Sequence, residues 1–144
     1  MCLSKLNSEG YVDLTAYEAL MAIEREAKKT AFKPLVFICS PFAGDIEHNI
    51  EKARCYSRFA VNKNTIPIAP HLLFPQFMDD KNKAQRDRAI FMGLVLLSKC
   101  KELWCFGETI TQGMSVELEK AKQRGIKIRQ FTEDCVEVEP CSKG

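Results

Sequence analysis

The sequence has no long block of like charge. Its 21 Lys and Arg nearly balance 19 Asp and Glu, leaving a formal net charge of +2. A protein that grips a nucleic acid polymer by its phosphates needs a basic face, so that partner is not indicated. No apolar run nears the roughly 18 residues needed to cross a bilayer, so no membrane partner is expected. Met1 to Asp13 is mixed and polar and lacks the apolar core of a secretory leader, so a cytoplasmic location is expected. Histidine is scarce, at two residues, and none of the seven cysteines forms a Cys-x-x-Cys pair. That argues against zinc, and no metal is expected. Cys39 and Cys105 lie inside apolar runs, where a thiol behaves as a small hydrophobe, so the cysteines read as reduced. Neither a Walker loop nor a Gly-x-Gly-x-x-Gly fingerprint is present. Repeats and low-complexity segments are absent as well.

What is present is enough for one domain and one core: 144 residues, 46% of them hydrophobic. Leu103 to Phe106 reads as a short buried strand, followed by a polar loop and a helix opening near Gly113 and stopping at Gly125. A second apolar run, Ile126 to Ile128, follows at once. Strand, loop, helix and strand in that order make a βαβ unit, the building block of parallel sheets. Leu35 to Cys39 is a continuous apolar run that suits a strand buried on both faces. Ile46 to Asn62 repeats at helical spacing, with Asp45 as its cap. Thr65 to Ala69 is a further strand, and Pro67 disfavours a central position for it. Pro70 to Met78 reads as a loop with room for one helical turn. Arg86 to Ser98 is a helix with Ala89, Met92, Gly93, Leu96 and Leu97 inward. Leu14 to Lys29 is an additional helix, with Thr15 and Glu18 in capping-box spacing. Val136 and Val138 alternate with acids in either a frayed tail or a weak edge strand. The pattern predicts a compact α/β sandwich with helices on both faces.

Ligands on such sheets gather at the carboxyl ends of the strands. Glu117 is expected there, in the first turn of its helix, where free N–H groups favour negative charge. Such a carboxylate suits a nucleophile, an acceptor for a sugar hydroxyl, or a plain helix-dipole partner. Ser40 and Gly44 flank a turn whose backbone N–H groups suit a phosphate or sugar. The plainer reading of that turn is a Pro-Phe corner capped by Asp45. His71 suits stacking on a base, or is an ordinary loop histidine; His48 reads as surface. Arg86 and Arg88 suit a phosphate, although a solvated helix start in a charged segment is the preferred reading.

The order of the motifs says more than any one of them. An apolar strand leads into Cys-Ser-Pro-Phe-x-Gly. Ile-Pro-x-x-Pro-His follows, then an Arg-containing helix ending Ser-Lys-Cys. Leu-Trp-x-Phe-Gly comes next, and then Gly-Met-Ser-x-Glu. From Pro34 to Phe131 this resembles the nucleoside 2-deoxyribosyltransferase-like superfamily, and more closely an uncharacterised branch of small bacterial and phage-borne proteins. The resemblance implies a flavodoxin/Rossmann-like three-layer sandwich with a mainly parallel sheet of four to five strands. It divides the chain into an arm and helix (1–33), the domain (34–131) and a tail (132–144).

It also implies a nucleoside or nucleotide as small-molecule partner and an N-glycosidase or deoxyribosyltransferase-like activity. A non-catalytic binding protein on the same fold is the alternative. By motif, the glutamate that attacks the sugar C1′ falls on Glu117. The substrate-binding set falls on Ser40, Pro41, Phe42, Gly44, His71, Arg88, Gly107, Gly113, Met114 and Ser115, with no cofactor. Two positions depart from the enzymes. Phe37 stands where a tyrosine orients the glutamate, and Gly93 stands where an aspartate lies near the sugar and base. Related enzymes are oligomers, and Leu72, Leu73, Phe74 and Phe77 form a candidate contact patch for at least a homodimer.

Overall fold

A computed structural model describes residues 14–29 and 33–139 of the chain. The chain divides into two units, 1–33 and 34–144. In the first, helix α1 spans Leu14–Lys29. Thr15 lies inside α1 rather than ahead of it, so it is not the cap, and the residue preceding the helix lies outside the described residues.

The second unit opens with strand β1 (Leu35–Cys39), then helix α2 (Ile46–Asn62), strand β2 (Ile66–Ile68) and a short helix α3 (Pro70–Leu73). A 3-10 turn (Phe74–Gln76), helix α4 (Lys83–Ser98), β3 (Glu102–Phe106), α5 (Gln112–Gln123), β4 (Lys127–Phe131) and β5 (Glu137–Val138) follow. The five strands form one sheet in the order β2-β1-β3-β4-β5. All neighbours are parallel except β4 and β5. This is the three-layer, mainly parallel α/β architecture that the sequence predicts.

β1 and β3 are central because their sequences tolerate burial on both faces. Val36 to Cys39 and Leu103 to Phe106 are all buried. Phe37, Cys39, Leu103 and Cys105 face α4 and α5, where they pack with Leu97, Met114 and Ala121. The alternate residues Val36, Ile38, Trp104 and Phe106 face α2, where they meet Tyr56, Ala60 and Phe131. The second face is aromatic: Tyr56 stacks on Phe106 at 4.1 Å, and Phe106 on Phe131 at 5.0 Å. Arg129 closes its edge. The guanidinium lies 4.9 Å from the Trp104 ring and is bonded to Glu137 at 2.8 and 2.6 Å. Burying each large apolar side chain stabilises the fold by about 1.5–3 kcal/mol.

Side-chain caps set three helix starts. Asp45 accepts from the His48 N–H, Asn82 from Gln85 and Thr111 from Met114. The Asn82 cap starts α4 at Lys83, three residues earlier than its apolar periodicity predicts. β2 sits at the sheet edge, where Pro67 removes no ladder bond to a second neighbour. Pro70 to Gln76 is helical rather than a loop, because Pro70 occupies the first helical position, where a missing N–H costs nothing. β4 runs on to Phe131, since it pairs with β3 along its whole length. The alternating valines belong to an antiparallel edge strand, β5. No helix among the described residues is long and apolar enough to cross a membrane.

Helix α4 supplies a direct check on this packing. Leu97 is fully buried, whereas Phe91 is 66% exposed. Leu97→Ala is expected to cost about 2–5 kcal/mol in urea unfolding, and more than Phe91→Ala does.

Candidate functional site

The sheet order places a topological switch point between β1 and β3. The chain leaves β1 toward α2 on one face and leaves β3 toward α5 on the other, which opens a crevice at their carboxyl ends. A cleft of about 620 Å³ lies there, within the range of small-molecule sites. Its walls come from the β1–α2 loop (Phe42, Ala43), from α3 and the 3-10 turn (Pro70, His71, Phe74), from α4 (Arg86, Asp87, Ala89, Gly93) and from α5 (Gly113, Met114, Glu117).

Glu117 is the buried carboxyl of this cleft, with a side chain only 14% exposed. The Thr111 cap starts α5 at Gln112, so Glu117 falls in the second turn rather than the first. The free N–H groups of the helix end are a turn away, and burial decides its protonation instead. Desolvation pushes its pKa up to about 8, reinforced by Cys105 and opposed by a hydrogen bond with Cys39. The expectation that the helix end would favour its charged form is therefore corrected. Cys39 and Cys105 sit opposite one another in the β1–β3 register. Their mutual hydrogen bond and burial hold the Cys39 thiol well above its usual range.

His71 Nε2 lies 4.0 Å from Glu117 Oε1. Burial lowers the pKa of His71 to about 4, against a smaller opposing effect of Asp80. The Phe42 ring meets the imidazole edge-on, with centroids 4.9 Å apart. Asn49 on α2 fixes the loop carrying Phe42 by donating to the carbonyls of Phe42 and Ala43, both at 3.0 Å. At neutral pH the two groups are thus a protonated carboxyl beside a neutral imidazole. Asp79, Asp80 and Asp87 stand around the mouth, with Lys83 bonded to Asp87 at 2.7 Å.

Of the residues singled out in the sequence, Phe42, His71, Gly113, Met114 and Glu117 come together on the cleft wall. Ser40 is buried directly after β1, and neither it nor Pro41 reaches that wall. Gly44 stands at the exit of the same loop with φ +99°, facing open space. Gly107 ends β3 with φ +92°, and its position leans toward Glu133 rather than the cleft. Ser115 lines a shallow adjoining groove with Glu119, Leu94 and Val116, the last two of which it shares with the cleft. Arg88 is exposed on α4, and Arg86 lines the cleft in its place. Phe37 and Gly93 also line it. Sequence reasoning missed Asn49, for which a single sequence carries no signal. It also missed Thr111, whose place three residues before Met114 is a legible cap.

The profile of DUF7768, a domain of unknown function, matches residues 34–131. The chain belongs to this family. No curated protein matches the chain. Among solved structures it is similar to a 2-deoxyribosyltransferase from the psychrotolerant bacterium Bacillus psychrosaccharolyticus. The two are 15% identical, with a TM-score of 0.54, over 68% of this chain and 72% of that one. At that identity the likeness establishes the fold.

The two shifted groups make stability depend on pH in a specific way. Glu117 has a raised folded pKa, so its contribution is complete below about 4.5 and is lost as pH rises toward 8. His71 has a depressed one, so its contribution is complete above about 6.5 and is lost as pH falls toward 4. Between about 4.5 and 6.5 the two slopes cancel. Between about 6.5 and 8 only the Glu117 slope remains, amounting to about 2 kcal/mol. Urea unfolding at a series of pH values should show that fall in the wild type. The Glu117→Gln variant should lack it.

Proposed function

We propose that the cleft binds a nucleoside or nucleotide and that the protein breaks its N-glycosidic bond, with Glu117 as nucleophile. The carrying observation is a buried carboxyl at the β1–β3 switch point, on the helix that follows β3. The carboxylate attacks C1′ as the base departs, and a glycosyl ester forms. Water or a second base then resolves the ester, as in retaining glycosidases. The similar fold of a known 2-deoxyribosyltransferase supports this class of substrate. The Gly-Met-Ser-x-Glu motif supports the role of Glu117, as does its place on the cleft wall. Phe37 offers Glu117 no hydroxyl, and the Cys39 thiol, two residues along the same face of β1, acts on Glu117 in the direction that favours the carboxylate.

A non-catalytic binding protein is the second reading. Its specific support is that Glu117 holds its proton at neutral pH, whereas a nucleophile must be ionised. Phe37 and Gly93 add no polar group to the cleft to aid ionisation.

We also propose a homo-oligomer. Leu73 and Phe77 are exposed, as are Ile90, Phe91 and Val95 on α4. Phe74 drops out of the expected contact patch, because it is buried and lines the cleft.

Two measurements test these readings. A nucleoside added at 100 times its dissociation constant should stabilise the protein by about 2.7 kcal/mol. Under the glycosidase reading Glu117→Gln removes base release by about a thousandfold or more, while ligand affinity changes by at most about 1–3 kcal/mol. Under the binding reading the wild type shows affinity without base release over long incubation. For assembly, light scattering should give at least a dimer mass for the wild type and a smaller mass for Phe77→Asp. A monomer at micromolar concentration would overturn the oligomer.

A further inference from the structure

A nucleoside base is a poor leaving group unless it is protonated, so a site that cleaves it needs an acid as well as a nucleophile. Glu117 cannot be both at once. It holds a proton at neutral pH, and a protonated carboxyl does not attack. The only basic side chain facing it at close range among the described residues is His71, with Nε2 4.0 Å from Oε1. That ring is held in place by Phe42 at its edge, and the Phe42 loop is in turn pinned by Asn49. A movement of about 1 Å closes the gap to hydrogen-bond distance, a tightening common when a ligand fills an apo site.

Resting on the glycosidase reading, we propose that His71 is the proton donor to the leaving base and that Glu117 supplies its proton. Transfer from the Glu117 carboxyl to Nε2 leaves a carboxylate beside an imidazolium, with no change in net charge. The attraction of the two ions offsets much of the cost of separating charge in a poorly solvated cleft. A Glu117 oxygen then bonds to C1′ as the C1′–N bond breaks. The electron pair of that bond goes to the base, which takes the proton from His71. The products are the glycosyl ester, the free base and neutral His71. Water attacks C1′ next, the ester C1′–O bond breaks, and one water proton returns to Glu117 through His71. One proton thus serves in turn to silence the nucleophile and to release the leaving group.

The remaining titratable and charged groups around the pair are Cys39 on β1, Cys105 on β3, Asp79 and Asp80 after the 3-10 turn, and Arg86 and Asp87 on α4. Among the described residues, Glu117 is the one group that lies in ion-pair range of His71 Nε2, at 4.0 Å. Asp80 acts on His71 in the direction that helps it accept the proton.

The test compares two substrates in the full chain: 2′-deoxyadenosine, whose base needs a proton, and para-nitrophenyl 2-deoxyriboside, whose leaving group does not. Measured in the first turnover, before the ester is hydrolysed, His71→Gln should slow adenine release by about 10²- to 10⁴-fold and change nitrophenol release by less than about tenfold. In the wild type, adenine release should fall above pH 8, as the shared proton is lost, while nitrophenol release rises through the same range. The wild-type pH profiles decide the matter alone if His71→Gln does not fold. Equal loss on both substrates, or undiminished adenine release, overturns the role of His71 and leaves the glycosidase reading standing. Adenine release that climbs past pH 8 does the same. Release of neither product by the wild type overturns the glycosidase reading and this proposal with it.

Discussion

The cleft depends on the parallel pairing of β1 with β3. Both strands are apolar at every position that the sheet buries, so neither can move to an edge without exposing several large side chains. Pairing in the register that sets Cys39 against Cys105 brings their carboxyl ends level. The chain then has to leave in opposite directions, since α2 covers one face and α5 the other. The crevice between the two departures is a consequence of that topology. The chemistry in it is a consequence of which side chains the departing segments carry.

Glu117 illustrates how a small shift in helix start changes chemistry. Had α5 opened one turn later, the carboxyl would have met the free N–H groups of the helix end and favoured its charged form. The Thr111 cap fixes the start at Gln112 and sends Glu117 into the second turn, against the thiols of two buried strands. Desolvation then outweighs the single thiol hydrogen bond. The imidazole opposite experiences the same low polarity with the opposite sign, so the dry cleft drives both groups to their neutral forms. A pair that is neutral on both sides is cheaper to bury than an ion pair, which is how the fold keeps two titratable groups in its interior.

Much of the fold was legible from the sequence because burial on both faces leaves continuous apolar runs, as in Leu35 to Cys39. Boundaries were less legible where a side-chain cap, rather than the apolar period, sets the start. Asn82 moves α4 forward by a turn in this way. The stretch after Pro70 was ambiguous because its apolar residues serve two purposes: Phe74 is buried against the fold while Leu73 and Phe77 face outward. At the site, the residues on the cleft wall that the sequence picked out are in the first loop, on the starts of α3, α4 and α5, and, for Glu117, in the second turn of α5. Ser115 is one position along α5 from Met114, and a step of about 100° turns it onto the outer groove. Motif spacing along a chain does not resolve that rotation until the helix start is known.

Gly93 sets the remaining dimension of the cleft. A Cβ there would lie 3.7 Å from Pro70 Cβ and Cγ, an ordinary contact, so the backbone does not require glycine. A methyl group fits there, on the cleft wall that Gly93 shares with His71 and Glu117. The missing side chain at Gly93 therefore leaves room that a polar residue would fill, just as Phe37 leaves the wall of the same cleft without a hydroxyl. Neither position brings a polar side chain to the cleft. Burial shifts Glu117 and His71 in opposite directions, and a wall without polar side chains at Phe37 and Gly93 adds nothing at those positions to oppose either shift.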